Sequence, residues 1–216
     1  MNNKKIIALT SFLLLTSCAT EDLTIKEVVR IDSGVIKGSH NAELKQYLGI
    51  PYAEPPIDNL RWAPTSPVKS WEGVKSVKSN SKICYQPKQM AEFYDRGPNI
   101  NDMSEDCLTL NVWTRADKQD EKLPVMVWFH GGALVWGSGS EYSGEELTKQ
   151  GVILVTVNYR LGPFGFFSHP ELSQETGTSG NQGFRDQILS LKWVKENIDK
   201  FGGDPDNVTI FGESAG

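Results

Sequence analysis

Val208-Thr209-Ile210-Phe211 runs without interruption into Gly212-Glu213-Ser214-Ala215-Gly216. The first stretch reads as a buried β-strand, and G-x-S-x-G directly after a strand reads as a nucleophile elbow. In such an elbow the chain turns so sharply that the serine takes a strained backbone conformation. Glycines two residues before and two after it leave room for the crossing strand and helix. The serine hydroxyl is lifted clear of the sheet, and the following N–H faces the reacting oxygen. Taken alone, the pentapeptide also fits an ordinary glycine turn after a strand. The rest of the chain has to decide between the two.

Upstream the pattern is that of an α/β protein. Val125-Met126-Val127-Trp128-Phe129 and Val152-Ile153-Leu154-Val155-Thr156-Val157 are almost wholly apolar, as parallel strands covered on both faces are. Between them lie a glycine-rich loop, 131–140, and a short predicted helix near 143–149 with Ser143 as its cap. Phe184, Ile188, Leu191, Val194, Ile198 and Phe201 recur at spacings of 4, 3, 3, 4 and 3, one face of an amphipathic helix. Gly202-Gly203 and Pro205 stop it. The order strand, helix, strand, helix, strand, elbow predicts a mostly parallel sheet with helices on both faces. Nearer the N-terminus, Val28–Ile31 and Val35–Gly38 flank a turn at Asp32-Ser33-Gly34 and predict a β-hairpin. Leu44–Ile50 reads as a further strand, and the prolines of 51–56 confine that stretch to a loop. Residues 85–106 read as irregular and polar, and Thr109–Thr114 alternates as a half-buried strand.

The first residues belong to no fold. Lys4-Lys5 precedes a largely apolar run, Ile6–Leu15, too short to span a bilayer and suited to a signal peptide. Leu15-Thr16-Ser17-Cys18 has the form of a bacterial lipobox, with cleavage before Cys18 and lipid on that cysteine. Ordinary secretory cleavage after Ala19 is the alternative. The expected organisation is a signal peptide over 1–17, a lipid-anchored linker over 18–27 and a domain from 28 to 216. The protein is then exported. It is either a membrane lipoprotein, of the outer membrane in a Gram-negative cell, or secreted or periplasmic. Removing Lys4 and Lys5 leaves 20 Lys and Arg against 27 Asp and Glu, a balance of −7. That balance disfavours nucleic acid as a partner. The sequence carries no metal-type Cys/His cluster and no phosphate-binding glycine motif, so no cofactor is expected. With Cys18 assigned to lipid, Cys84 and Cys107 are left as a pair. Export permits a disulfide between them, worth about 3 kcal/mol for such a loop; two unpaired buried thiols are the other reading.

The second half of the elbow chemistry follows strand 125–129. His130-Gly131-Gly132-Ala133 has the form of the loop whose backbone N–H groups stabilise an oxyanion. Four further stretches accompany it: Tyr47-Leu48-Gly49-Ile50-Pro51-Tyr52-Ala53-Glu54-Pro55-Pro56 with Leu60-Arg61-Trp62, Ser104–Val112, Val157-Asn158-Tyr159-Arg160-Leu161-Gly162, and Gly180–Gly183 through Asp186-Gln187 to Phe201–Pro205. In this order, and with the elbow, they resemble the type-B carboxylesterase family of α/β-hydrolases, which includes cholinesterases and related lipases. The resemblance runs over about residues 26–216.

That resemblance implies an α/β-hydrolase fold and hydrolysis of small-molecule carboxylic esters. It implies Ser214 as nucleophile, the N–H groups of Gly132, Ala133 and Ala215 as the oxyanion hole, and a Cys84–Cys107 disulfide. Glu213 is expected to be a buried electrostatic modulator. Arg61 with Glu105, and Arg160 with nearby acids, are expected to hold structure, as are Asp186 and Asp204. Leu134 stands where the family usually has an aromatic residue, which widens the expected pocket. No tryptophan falls within 85–106, which argues against a choline-ester specialist. His40, His130 and His169 all precede Ser214, whereas in this fold the acid and histidine follow the nucleophile. Residues 1–216 by themselves are therefore expected to leave an unpaired sheet edge, fold poorly and lack activity. The rival readings are a catalytically inactive cholinesterase-like binding protein and a truncated remnant.

Overall fold

The computed structural model describes residues 22–41, 43–89 and 102–216. The expected signal peptide, residues 1–17, and Cys18 lie outside the described residues. Eleven strands are present among those described. β1 (Val28–Ile31) and β2 (Gly34–Lys37) form the expected antiparallel hairpin, extended in parallel by β5 (Val74–Ser76). The main sheet uses β3 (Ser39–His40), β4 (Lys45–Pro51), β8 (Thr109–Thr114), β9 (Leu123–Phe129), β10 (Ile153–Val157) and β11 (Gly203–Gly212). Its order is β11-β9-β10-β8-β4-β3. β11, β9 and β10 are parallel, while β8, β4 and β3 continue the sheet antiparallel. Two short strands, β6 (Ile83–Cys84) and β7 (Met103–Ser104), pair in parallel, β6 just before the stretch 85–106 read from sequence as irregular and β7 inside it. Cys84 and Cys107 are joined by the disulfide, with Cα atoms 5.1 Å apart.

The apolar runs are explained by a sheet covered on both faces. Successive side chains of a strand point to opposite sides. Val125, Val127 and Phe129 of β9 join Ile153, Val155 and Val157 of β10 in the larger core, with Trp193, Val194, Ile198 and Phe201. Met126 and Trp128 point the other way and pack on a second cluster with Trp113, Leu154, Leu147 and Phe211. β8 corrects the sequence reading. Its six residues are all buried, not half-buried, because β10 and β4 pair with both of its edges while both faces are covered. The polar members are satisfied there: Asn111 donates to Thr156 Oγ1 and accepts from the Gly49 amide.

Among the described residues β11 has β9 alone beside it, and there Thr209 and Ile210 are exposed, the latter by 60%. The predicted helix near 143–149 is a single 3-10 turn at Leu147–Gln150, with no side-chain cap. Ser143 Oγ accepts from Glu145 N at 3.3 Å, outside that turn.

Three helices follow β10: α1 (Gly162–Phe166), α2 (Pro170–Thr176) and α3 (Gln182–Asn197), the last continued by a 3-10 turn at Ile198–Phe201. The predicted face of α3 holds only at its C-terminal end. Val194, Ile198 and Phe201 are buried, but Phe184 is 42% and Ile188 66% exposed. The face turned inward instead carries Asp186, Ser190, Trp193, Val194 and Asn197, at spacings that also follow a helical period. Asp186, Ser190 and Asn197 cost little to bury because each is paired. Ser190 Oγ donates to the Gln187 carbonyl, Asn197 accepts from Asp32 N and donates to the Trp193 carbonyl, and Asp186 meets Arg160.

Candidate active site

β9 and β11 are parallel neighbours, with Phe129 opposite Gly212. Their C-terminal ends therefore deliver the loop after Phe129 and the elbow after Phe211 to the same place. The approach is close. A Cβ on Gly131 would sit 2.6 Å from the Glu213 carbonyl oxygen, 2.7 Å from Glu213 Oε2 and 3.1 Å from Ser214 Cβ. Gly212 and Gly216 pass over the end of β9, and a Cβ on Gly212 would sit 2.7 Å from the Phe129 carbonyl oxygen. The two elbow glycines are thus demanded by the neighbouring strand.

Backbone strain concentrates here. Among the described residues six non-glycine residues have positive φ, and three of them are Ala133 (55°), Leu134 (62°) and Ser214 (57°). Such conformations cost of order 1–3 kcal/mol each and persist only where surroundings enforce them. Ser214 has the geometry that the G-x-S-x-G reading predicts. The loop 130–137 closes on itself, with the amides of Val135 and Trp136 both donating to the Gly132 carbonyl at 2.9 and 3.1 Å. The N–H groups of Gly132, Ala133 and Ala215 meet no acceptor among the described residues.

What holds the loop comes from the end of β10. Tyr159 Oη donates to the His130 carbonyl at 2.6 Å, and its ring stacks on the His130 ring at 4.5 Å. Asn158 Oδ1 accepts from Gly139 N and Ser138 Oγ. Arg160, next along, pairs with Asp186 of α3. The stretch Val157–Gly162, singled out in the sequence without a role, is the shelf under the loop. Arg61 and Glu105 also meet, in a two-pronged contact of 2.6 and 2.5 Å. Asp204 Oδ1 accepts from Asp206 N, a local turn contact.

Glu213 is corrected. Among the described residues it is exposed, not buried, and its carboxylate lies beside Gly131. None of the three histidines hydrogen-bonds Ser214. His40 Nε2 bonds Tyr47 Oη, and His169 Nδ1 accepts from Glu171 N at the start of α2. His130 Nδ1 lies 2.9 Å from the Gly131 carbonyl; a carbonyl only accepts, so Nδ1 carries the proton. Leu134 packs against the main core. Sequence reasoning missed Tyr159, Asn158 and Gln86 as supports, and Glu141, whose Oε1 is buried without a partner. No local pattern marks them, since their partners lie far away in the chain. Among the described residues no group of His, Cys, Asp and Glu is placed to hold a metal ion.

Burial pushes the His130 imidazole down to about 4, only partly offset by its bond to Gly131. Burial pushes Glu141 up to about 7. Unfolded imidazole takes its proton near 6.5, so between about 4 and 6.5 the unfolded chain binds more protons. The contribution of neutral His130 is complete above pH 6.5 and is lost as pH falls toward 4. Glu141 has the opposite sign, its contribution being present at low pH and lost as pH rises through 7. Because the two overlap, each is best seen by difference. His130→Asn is expected to lose less stability than the wild type on acidification from pH 6.5 to 4, by on the order of 2–3 kcal/mol. Urea midpoints at several pH values measure this, and parallel curves would contradict it.

The comparisons with known proteins agree with this geometry. The Carboxylesterase family matches residues 25–216. Para-nitrobenzyl esterase of Bacillus subtilis (strain 168) is 46% identical over 194 residues, covering 88% of this chain and 38% of that protein. Fumonisin B1 esterase of Sphingopyxis macrogoltabida is 42% identical over 195 residues, covering 88% of this chain and 35% of that protein. A solved PNB esterase structure superimposes with a TM-score of 0.78 at 44% identity, over 88% of this chain and 38% of that one. The carboxylesterase of Geobacillus stearothermophilus does so with a TM-score of 0.74 at 40% identity, over 87% of this chain and 38% of that one. The chain thus spans between a third and two fifths of the length of these relatives. With a family match over nearly all of its described residues and an elbow and glycine loop brought together as the fold requires, the chain belongs to the carboxylesterase family and has the α/β-hydrolase fold.

Proposed function

We propose that the gene product containing this chain is a serine carboxylic-ester hydrolase with Ser214 as its nucleophile. The observation that carries this reading is Ser214 held at φ 57° beside a loop whose Gly132 and Ala133 amides meet no acceptor among the described residues. Ser214 Oγ attacks the ester carbonyl and gives its proton to a base. The carbonyl oxygen becomes an oxyanion and accepts from the amides of Gly132, Ala133 and Ala215. Collapse of this intermediate expels the alcohol, and water then releases the acid from the acyl-serine. His40, His130 and His169 are engaged elsewhere, so the base and its orienting acid are assigned to residues outside 1–216. Glu213, a carboxylate beside Gly131, is assigned a modulating electrostatic role. The substrates are small-molecule carboxylic esters.

A fluorophosphonate probe tests this in the full-length gene product. Covalent label on the peptide carrying Ser214 is expected. A folded protein that takes up no label is a binding member of the family, without catalysis.

The lipobox over 15–18 supports a second proposal, that Cys18 bears lipid and anchors the enzyme to a membrane. The gene product is expected to partition into the detergent phase on Triton X-114 extraction, and Cys18→Ser to move it to the aqueous phase. Recovery of the wild type in the aqueous phase would remove the anchor.

A further inference from the structure

Gln86 lies two residues beyond Cys84 and far in sequence from the loop after β9, yet it closes on that loop from outside. Its Oε1 accepts from the Gly137 amide at 2.8 Å, and its Nε2 donates to the Gly137 carbonyl at 3.1 Å. One carboxamide thus engages both backbone groups of a single residue, as a neighbouring β-strand would. The same Nε2 donates to the Cys84 carbonyl at 3.1 Å, which fixes the amide plane on a segment tied down by the Cys84–Cys107 disulfide.

Gly137 is connected to the donors by direct contact. It sits at φ 110° against the His130 ring, where a Cβ would collide with Nδ1. Its neighbour Trp136 donates to the Gly132 carbonyl at 3.1 Å. The Trp136 carbonyl in turn occupies the space a Gly132 Cβ would need. A displacement of Gly137 therefore moves Trp136 against Gly132, and the strained Ala133 and Leu134 follow it. The front limb of the loop is held by Tyr159 through the His130 carbonyl, whereas the back limb at Gly137 is held by Gln86.

From this we infer that Gln86 is a positioning residue of the oxyanion loop, keeping the Gly132 and Ala133 amides aimed while touching no substrate itself. The inference rests on the esterase reading above. Oxyanion donors work by being preorganised, and a misplacement near 1 Å costs about 100-fold in rate. Removing the carboxamide should thus act on kcat and leave KM nearly unchanged.

The test uses the full-length gene product, with an ester substrate and a fluorophosphonate probe. Gln86→Ala is expected to lower kcat and the labelling rate of Ser214 by about 10- to 100-fold. Gln86→Glu supplies the reading that a purely structural role would not move. Its carboxylate can accept from the Gly137 amide but cannot donate to the Gly137 carbonyl. Once protonated it can do both. The ratio of Gln86→Glu to wild-type rate is therefore expected to rise as pH falls toward about 4 to 5. Folded Gln86→Ala with kcat within about twofold of wild type would overturn the inference, as would a pH-independent Gln86→Glu ratio should Gln86→Ala fail to fold. A wild-type protein that takes no label would overturn the esterase reading, and this inference with it.

Discussion

Ser214→Ala is expected to remove ester turnover from the full-length gene product almost entirely, by about 10⁶-fold in kcat, as loss of a triad serine does elsewhere. On the proposed mechanism no acyl-enzyme forms without this hydroxyl, and only the residual assistance of the oxyanion donors and substrate binding remains. The substitution should leave the fold intact. Alanine keeps the Cβ of serine, so at φ 57° the two residues carry the same steric cost. Ser214→Gly separates strain from chemistry. It should be equally inactive but more stable by about 1 kcal/mol, because glycine enters the left-handed region freely. Stopped assays with a chromogenic ester, paired with urea denaturation, read both quantities. Turnover by Ser214→Ala near the wild-type rate would exclude Ser214 as the nucleophile. A destabilised Ser214→Gly would show that the elbow is not strained.

Asp186→Ala is expected to cost about 3–5 kcal/mol of stability, the range for removing one partner of a buried ion pair. Against a total of about 5–15 kcal/mol for an ordinary domain, that loss is severe. The size of the effect follows from how fully both groups are enclosed: the side chains of Arg160 and Asp186 are 3% and 0% exposed. Arg160 donates through Nε to Oδ2 at 2.9 Å and through Nη2 to Oδ1 at 2.8 Å, and its backbone amide reaches Oδ2 at 3.0 Å. Thr65 Oγ1 also donates to Asp186 Oδ1, and Arg160 Nη1 donates to the Ala63 carbonyl at 2.9 Å. One ion pair thus ties α3, the end of β10 and the segment 63–65 together. Removing the carboxylate leaves a guanidinium that is 3% exposed without its counter-charge. Replacing both partners by apolar residues should cost less than either single change, since no charge is then left alone. Urea midpoints of the two single variants and the double variant measure this coupling. A loss under about 1 kcal/mol for Asp186→Ala would place the pair with the solvated ones, such as Arg61–Glu105, whose arginine is 41% exposed.

Much of the site was legible because its constraints are local. A strand feeding G-x-S-x-G, and another feeding His130-Gly131-Gly132-Ala133, state in a few adjacent residues what the backbone must do. The structure repeats it as positive φ at Ser214 and Ala133. The parallel strands β9 and β10 were legible for a similar reason, since a strand covered on both faces has no polar side to show. The disulfide was expected from family resemblance and is present.

Other features depended on who the neighbours are. Phe184 and Ile188 fit a helical stripe, yet they face outward, while Asp186 and Ser190 face in. Hydrophobicity ranks side chains by their transfer from water, and that ranking reverses once a polar group has buried partners to bond. Thr109–Thr114 alternates in sequence but not in burial, because Asn111 bonds Gly49 and Thr156 on two different strands and Thr114 Oγ1 donates to the Phe201 carbonyl. Glu213 and Ile210 are exposed for the converse reason: among the described residues β11 has one neighbour in the sheet rather than two.

By itself, then, the sequence determined the parallel strands, the two sharp turns and the family, all of which are written in contiguous residues whose backbone geometry leaves few choices. Tertiary structure alone decided which face of α3 is buried, that Tyr159 and Gln86 bond the glycine loop at His130 and Gly137, and that Arg160 is locked to Asp186. These are pairings between groups tens of residues apart. Their free energy comes from mutual desolvation and hydrogen-bond geometry, and neither exists until the chain has folded.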